Sequence, residues 1–309
     1  MMITESRDFQ RVRLLVEALP AVAAEDCFAL KGGTAINLFM LDLPRLSVDI
    51  DLTYLPVNDY NTACAEIDAA LRRIRDRLAA RPVRLDVTMG PAREGGHVDT
   101  LNVRRAPFDI KIEVNAVLRG TLHPTTMLPI REAAEAHFGF TRMRVVARED
   151  LYAGKLVAAL DRQHPRDLFD VKLLLEGQGI TDSLFCAFLY YLAGHKGVIA
   201  HTLDPRRKDI SRLYREQLQD MVAQPVSLDA LVETREQLIR TVHARLGERE
   251  KQFLLSVKRM QPDWSLLGVP GAEALPAVRW KLHNLGQMDA ARRMAAIGNL
   301  ERLFTRIGT

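Results

Sequence analysis

Apolar residues recur along the chain at two different periods, and the change of period divides it. Phe9, Val12, Val16 and Leu19 fall at helical spacing, which predicts an amphipathic helix ending before Pro20. The apolar run Cys27-Phe28-Ala29-Leu30 then meets Lys31-Gly32-Gly33-Thr34 and passes into a second apolar stretch over residues 35–41. That order reads as strand, glycine turn and helix, with Thr34 as the N-cap. Residues 48–55 alternate as a strand, and Ile67, Leu71, Ile74 and Leu78 mark one face of another helix. Residues 81–88, 97–103 and 108–117 read as three further strands, parted by Gly90-Pro91 and Ala106-Pro107. From Glu149 onward the spacing is helical almost throughout, broken at Pro165, Gly177-Gln178-Gly179, Pro205, Pro225, Pro262, Pro270 and Pro276. The pattern predicts an α/β (α+β) domain over residues 1–148 and an α-helical domain over residues 149–309.

Composition narrows the class. A chain of 309 residues suits two compact units, and 48% hydrophobic with 27% charged residues excludes a disordered polymer. No apolar run reaches the roughly 18 residues that span a bilayer. The longest, residues 184–193, is closed by Gly194-His195-Lys196. The first nine residues lack the apolar segment of a secretory signal, and Cys27, Cys64 and Cys186 stand far apart without a C-x-x-C pair. A cytoplasmic protein without a membrane partner, monomeric in the simplest case, is expected. Residues 1–200 carry 25 Lys and Arg against 26 Asp and Glu, whereas residues 201–309 carry 18 against 13. The whole excess of positive charge therefore lies in the last third, which suits a polyanionic partner such as RNA.

Candidate chemistry concentrates in Ser47-Val48-Asp49-Ile50-Asp51-Leu52. Strand side chains alternate between faces, so Ser47, Asp49 and Asp51 share one face and Val48, Ile50 and Leu52 the other. Two carboxylates held side by side repel unless a cation compensates or water screens them. A hard divalent ion, Mg²⁺ or Mn²⁺, would compensate and would bridge nucleotide phosphates; a solvated edge strand is the competing reading. The strand Asp109-Ile110-Lys111-Ile112-Glu113-Val114 repeats the design, so Glu113, with Asp109 as the fallback, is a third acid for the same metal if the strands are neighbours. Gly32-Gly33-Thr34 offers backbone N–H groups to a triphosphate, or is an ordinary tight turn. Further on, Pro165 ends one helix and opens the next, with Lys155 and Arg162 on the first and Asp167 and Asp170 in the opening turn of the second. Lys155 is the candidate phosphate ligand of this block; for Arg166 and Asp167 a structural salt-bridge network is an equal alternative.

These four blocks, in this order over residues 28–176, resemble the AbiEii/AbiGii toxin family, MenT-like nucleotidyltransferases of bacterial toxin–antitoxin pairs. The resemblance implies a polymerase-β-type nucleotidyltransferase domain followed by a helical domain. It matches Asp49 and Asp51 to the metal-binding pair, Ser47 to the serine before them, Lys155 to the lysine that steadies the triphosphate, and Asp170, or else Asp167, to a downstream essential acid. It also implies an NTP co-substrate, transfer of a nucleotide to the 3′ end of a tRNA acceptor stem with loss of aminoacylation, and a cognate antitoxin. Val48 stands where the family often has an acid.

On this reading Asp49, Asp51 and Glu113 hold the metal ions, Gly32, Gly33, Thr34 and Ser47 line the nucleotide, and Lys155 and Arg162 stabilise the leaving pyrophosphate. The basic groups Arg72, Arg73, Arg75, Arg77, Arg81 and Arg84, then Arg206-Arg207-Lys208, Lys258-Arg259 and Arg292-Arg293, are candidate walls of an RNA groove, with Trp264, Trp280 and Tyr214 as stacking residues. Two other classes compete: a nucleotidyltransferase acting on a protein or small molecule, and a non-catalytic nucleotide-binding module. P-loop and H-E-x-x-H zinc motifs do not occur.

Overall fold

A computed structural model describes residues 6–82, 85–93 and 95–307. The chain forms two compact units, residues 1–147 with 220–225, and residues 148–219 with 226–309. The segment Asp220–Pro225, which the sequence pattern assigns to the helical half, thus belongs with the first unit. There Leu46 N donates to Met221 O at 2.8 Å and Ala223 N to Pro44 O at 2.9 Å.

The first unit opens with α1 (Arg7–Ala23), capped by the Ser6 side chain on Phe9 N. The helix does not stop at Pro20 but runs through it. Pro20 lies in the last turn and forgoes the bond its N–H would have made to Val16 O; its ring is exposed, and burial of Leu19, Ala21 and Val22 around it carries the helix through. Next come β1 (Phe28–Lys31), a short helix α2 (Gly32–Thr34) that widens into a π-helical turn (Ala35–Met40), and β2 (Asp49–Tyr54). α3 (Tyr60–Ala79) buries the expected stripe Ile67, Leu71, Ile74 and Leu78. β3 (Asp86–Met89), β4 (Thr100–Arg105) and β5 (Phe108–Val114) start later or end earlier than the alternation suggests, and Ala106-Pro107 forms the β4–β5 turn. β6 (Thr126–Pro129), α4 (Glu132–Phe138) and β7 (Arg142–Val145) complete the unit.

Among the described residues seven strands form one mixed sheet in the order β3-β4-β5-β2-β1-β7-β6. β2 runs parallel to β5 and β1 parallel to β7; the other pairs are antiparallel. α1 lies against β5 and β7 and α3 against β3, so Ile50, Leu52, Ile112 and Val114 are buried. Burial of these aliphatic side chains fixes the register, because a one-residue slip would turn the acids into the core.

The second unit is helical: α5 (Arg148–Arg162), α6 (Pro165–Glu176), α7 (Asp182–Gly194), α8 (Ile199–Leu203), α9 (Ser211–Gln217), α10 (Leu228–Arg245), α11 (Glu248–Lys258), α12 (Pro276–Gly286) and α13 (Ala290–Ile307). α5 packs on α6 and α7, and α6 on α10. The α5–α6 turn is made by Gln163 with φ 53°. Its fully buried amide holds that conformation by donating to Arg206 O at 2.9 Å and accepting from Lys208 N at 3.0 Å. Among the described residues no helix is long and apolar enough to cross a membrane.

Candidate active site

The sheet register brings the predicted acids together. Asp51 pairs with Lys31 on β1 and with Glu113 on β5, and Glu113 pairs in turn with Thr100 on β4. One rung along, Asp49 pairs with Lys111 and Lys111 with Asn102. Residues paired across strands project to the same face, so Asp49, Asp51 and Glu113 stand on one half-buried face with Lys31 and Lys111 among them. Asp109 is off this site: it pairs with Arg104, and its carboxylate lies 3.8 Å from Arg7. Burial lowers the pKa of the Lys31 ammonium, and the neighbouring Asp51 charge opposes that shift.

The glycine turn is packed directly on this face. Gly32 has φ 71°, and a Cβ placed there would collide with Asp51 Oδ2, with Asp51 Cβ and Cγ only 3.1 Å away. A Cβ on Gly33 would lie 2.7 Å from Arg45 Nη2 and 2.8 Å from Ser47 Oγ. The chain therefore needs glycine here for two reasons, the left-handed backbone at Gly32 and the close approach at both. Thr34 is not the N-cap expected from sequence. The helix begins at Gly32, the cap position falls on Lys31 without a side-chain hydrogen bond, and Thr34 already has helical φ and ψ. Its hydroxyl, fully buried, donates to Asp49 O at 2.6 Å and is hydrogen-bonded to Ser47 Oγ at 3.1 Å. Thr34 and Ser47 thus pin the turn to β2. Arg45 was given no role by the sequence pattern, yet its buried guanidinium donates to Leu46 O at 2.8 Å beside Gly33. An arginine between Pro44 and Leu46, leading into the acidic strand, is the signal that could have found it; for Lys31 it is the step of two from the buried Ala29.

The all-oxygen donor set of Asp49 and Asp51 suits a hard divalent cation. The expected three-acid cage is not assembled, however. Glu113 forms an ion pair with Lys111, two residues away on the same strand face. Among the described residues no three His, Cys, Asp or Glu side chains converge to hold a metal. The pair Asp49 and Asp51 fits the group; Glu113 is engaged by an internal cation instead.

A second cluster lies in the helical unit. Lys155 Nζ on α5 sits 2.9 Å from Asp167 Oδ1 and 3.0 Å from Asp170 Oδ2 on α6. The side chains are 7%, 2% and 0% exposed, whereas Arg162, which binds both oxygens of Asp167, is 62% exposed. Asp167 lies in the first turn of α6, but Asp170 falls a turn later because Pro165 is already helical. Burial pushes the Asp167 carboxyl up, but Lys155 and Arg162 outweigh it and hold the group far below the usual carboxylate range. Arg166 contributes its backbone N–H to the His164 Nδ1 cap at 3.1 Å. Lys155, Arg162, Asp167 and Asp170 thus form an interhelical network with Lys155 enclosed by carboxylates; of the two residues given the salt-bridge alternative, Asp167 is in it, and Arg166 contributes the backbone bond named above.

The proposed groove walls are largely committed to local pairs. Arg73 and Arg77 clamp the buried Glu25, Arg72 pairs with Asp68, Arg75 with Asp76, and Arg81 with Glu17 O; Arg84 lies outside the described residues. Arg207 binds Glu236 and Asp204, Arg259 binds Glu301, and Lys258 is buried. Trp264 packs against Tyr190 and Phe253, and the Tyr214 hydroxyl donates to Val226 O at 2.8 Å. Trp280 remains at the surface, 42% exposed, stacked on His283.

The sequence profile of the nucleotidyl transferase AbiEii toxin, of type IV toxin–antitoxin systems, matches residues 13–284. Among solved structures, MenT4, a nucleotidyltransferase toxin from Mycobacterium tuberculosis H37Rv, superposes with a TM-score of 0.60 at 14% identity, covering 96% of this chain and 93% of its own. At that identity the likeness speaks for the fold. No curated protein matches by sequence.

Proposed function

This chain belongs to the AbiEii nucleotidyl transferase toxin family of type IV toxin–antitoxin systems, and from that premise we propose that it transfers a nucleoside monophosphate from an NTP to the 3′ end of a tRNA acceptor stem. The modified tRNA can no longer be aminoacylated, translation stops, and a cognate antitoxin counters the effect in the same cytoplasm. The observation that carries the reading is the rung Lys31–Asp51–Glu113 with Asp49 beside it, closed on one side by the Gly32 turn.

Asp49 and Asp51 would hold Mg²⁺ or Mn²⁺, which when bound neutralises charge on the phosphates. The backbone N–H groups of the Gly32–Gly33 turn and the Arg45 guanidinium receive the triphosphate, as fixed donors that need no reorganisation. A 3′ oxygen of the acceptor forms the new bond to the α-phosphorus, its proton passes to Glu113, and the bond to the bridging oxygen breaks to release pyrophosphate. Lys155 acts from within its carboxylate cluster by fixing α5 against α6.

The test is incubation of the purified protein with total tRNA, Mg²⁺ and each of the four α-labelled NTPs. Label on the RNA 3′ end, abolished by Asp49→Ala, is expected. Label on a protein or small molecule with every RNA blank would move the reading to another acceptor class, and nucleotide binding without pyrophosphate release would make the chain a binding module.

A further inference from the structure

A cleft of about 490 Å³ in the first unit has Lys31, Asp51 and Glu113 in its lining together with Tyr60 and His97. Its size lies within the usual range of small-molecule sites. The Tyr60 and His97 rings stand 6.2 Å apart at 87°, an edge-to-face corner made by a tyrosine from the first turn of α3 and a histidine from the segment before β4. The Arg119 guanidinium lies over the tyrosine ring, 5.9 Å from its centre, and is itself fixed by bonds to Ala116 O and Asn58 O. Tyr60 is therefore a positioned ring that still exposes 36% of its surface.

Strand order gives this corner a direction. The Gly32 turn closes the acid rung on the β1 side, whereas Tyr60 and His97 flank it beyond β5, next to β4. In an in-line displacement the nucleophile enters opposite the leaving group. With the leaving pyrophosphate on the Gly32 side, the attacking hydroxyl arrives from the side of Glu113, along this cleft. We infer that the Tyr60–His97 corner seats the terminal base of the single-stranded acceptor end, by stacking, and so presents its sugar hydroxyl to the acid rung. This rests on an RNA 3′ end being the acceptor. Stacking on an aromatic ring accepts any base, so the corner positions the end without choosing its sequence.

The test compares wild type with Tyr60→Ala, Tyr60→Phe and His97→Ala in two binding measurements that need no turnover. One is Mg·NTP affinity by calorimetry. The other is fluorescence quenching of a single-stranded RNA tetramer ending in 2-aminopurine. Wild type and Tyr60→Phe should quench alike, Tyr60→Ala should bind the tetramer ~5- to 150-fold more weakly, the range expected for one lost stack, His97→Ala should also weaken it, and Mg·NTP affinity should stay unchanged in all three. Quenching by Tyr60→Ala equal to wild type, or no uptake of the tetramer by wild type, overturns the inference. A loss confined to Mg·NTP affinity overturns it too, by assigning the corner to the donor base. Failure of the acceptor reading itself shows separately, as labelling of something other than RNA by wild type.

Discussion

Replacing Lys155 with methionine removes the one ammonium shared by two buried carboxylates while keeping most of the side-chain volume. Asp167 retains Arg162, so the loss falls chiefly on Asp170, which is fully buried and 3.0 Å from Lys155 Nζ. Taking one partner from a buried ion pair costs about 3–5 kcal/mol. With a urea dependence of about 1–3 kcal/mol per molar, the midpoint should fall by at least ~1 M. Both tryptophans of the chain, Trp264 and Trp280, lie in the helical unit, so their fluorescence reports unfolding of that unit. The double variant Lys155→Met/Asp170→Asn should recover more than half of the loss, since a neutral amide needs no counter-charge. The pH dependence has a definite sign. In wild type the depressed Asp167 contributes stability that is complete above its ordinary pKa of 3.8 and is lost as the pH falls below it. In Lys155→Met a buried carboxylate that has lost a neighbouring ammonium takes up a proton more readily, so the deficit should shrink between pH 7.5 and 4.5. A Lys155→Met protein within about 0.5 kcal/mol of wild type, below the range expected for a broken buried pair, or a deficit that does not change with pH, would refute the buried-network account.

Gly32→Ala should lower the melting temperature and abolish Mg·NTP binding, because the left-handed φ costs about 1–2 kcal/mol and the new Cβ displaces the Asp51 carboxylate; Gly33→Ala, which meets only the ends of the Arg45 and Ser47 side chains, should be the milder change by thermal melting and calorimetry. Lys281 has its pKa lowered to about 8 by burial and by the nearby Lys258. Folding stability should therefore rise with pH from about 8 toward 10.5, by at most about 3 kcal/mol, and Lys281→Met should lack that part of the rise in urea titrations across this range. Glu25→Gln should destabilise the first unit in thermal melts, since it breaks both ion pairs that tie α3 to the segment before β1.

What the sequence disclosed follows from where the governing contacts lie. The alternation in Ser47–Leu52 and Asp109–Val114 fixes which side chains share a face, and burial of Ile50 and Ile112 enforces it, so the acidic face is readable from local pattern alone. That Asp51 and Glu113 are direct neighbours is a property of parallel pairing between distant segments, which spacing cannot supply. β6 and β7 escaped notice for a similar reason: each has four residues, β6 ends in a proline at the sheet edge, and β7 gains its place by pairing with β1. The arginines of α3 read as a candidate wall of an RNA groove because Glu25, which neutralises two of them, is 48 and 52 residues away in sequence. Thr34 has the residue type of a cap, but the left-handed Gly32 starts the helix earlier and turns the hydroxyl inward to β2.

Asp49 and Asp51, beside the Gly32 turn, are proposed as the metal-dependent nucleotide site. Calorimetric titration of NTP with and without Mg²⁺ into wild type, Asp51→Asn and Asp109→Asn tests it most directly. Mg²⁺-dependent binding is expected in wild type, the same binding in Asp109→Asn on the neighbouring strand, and none in Asp51→Asn. Equal binding by wild type and Asp51→Asn, with or without the ion, would contradict it.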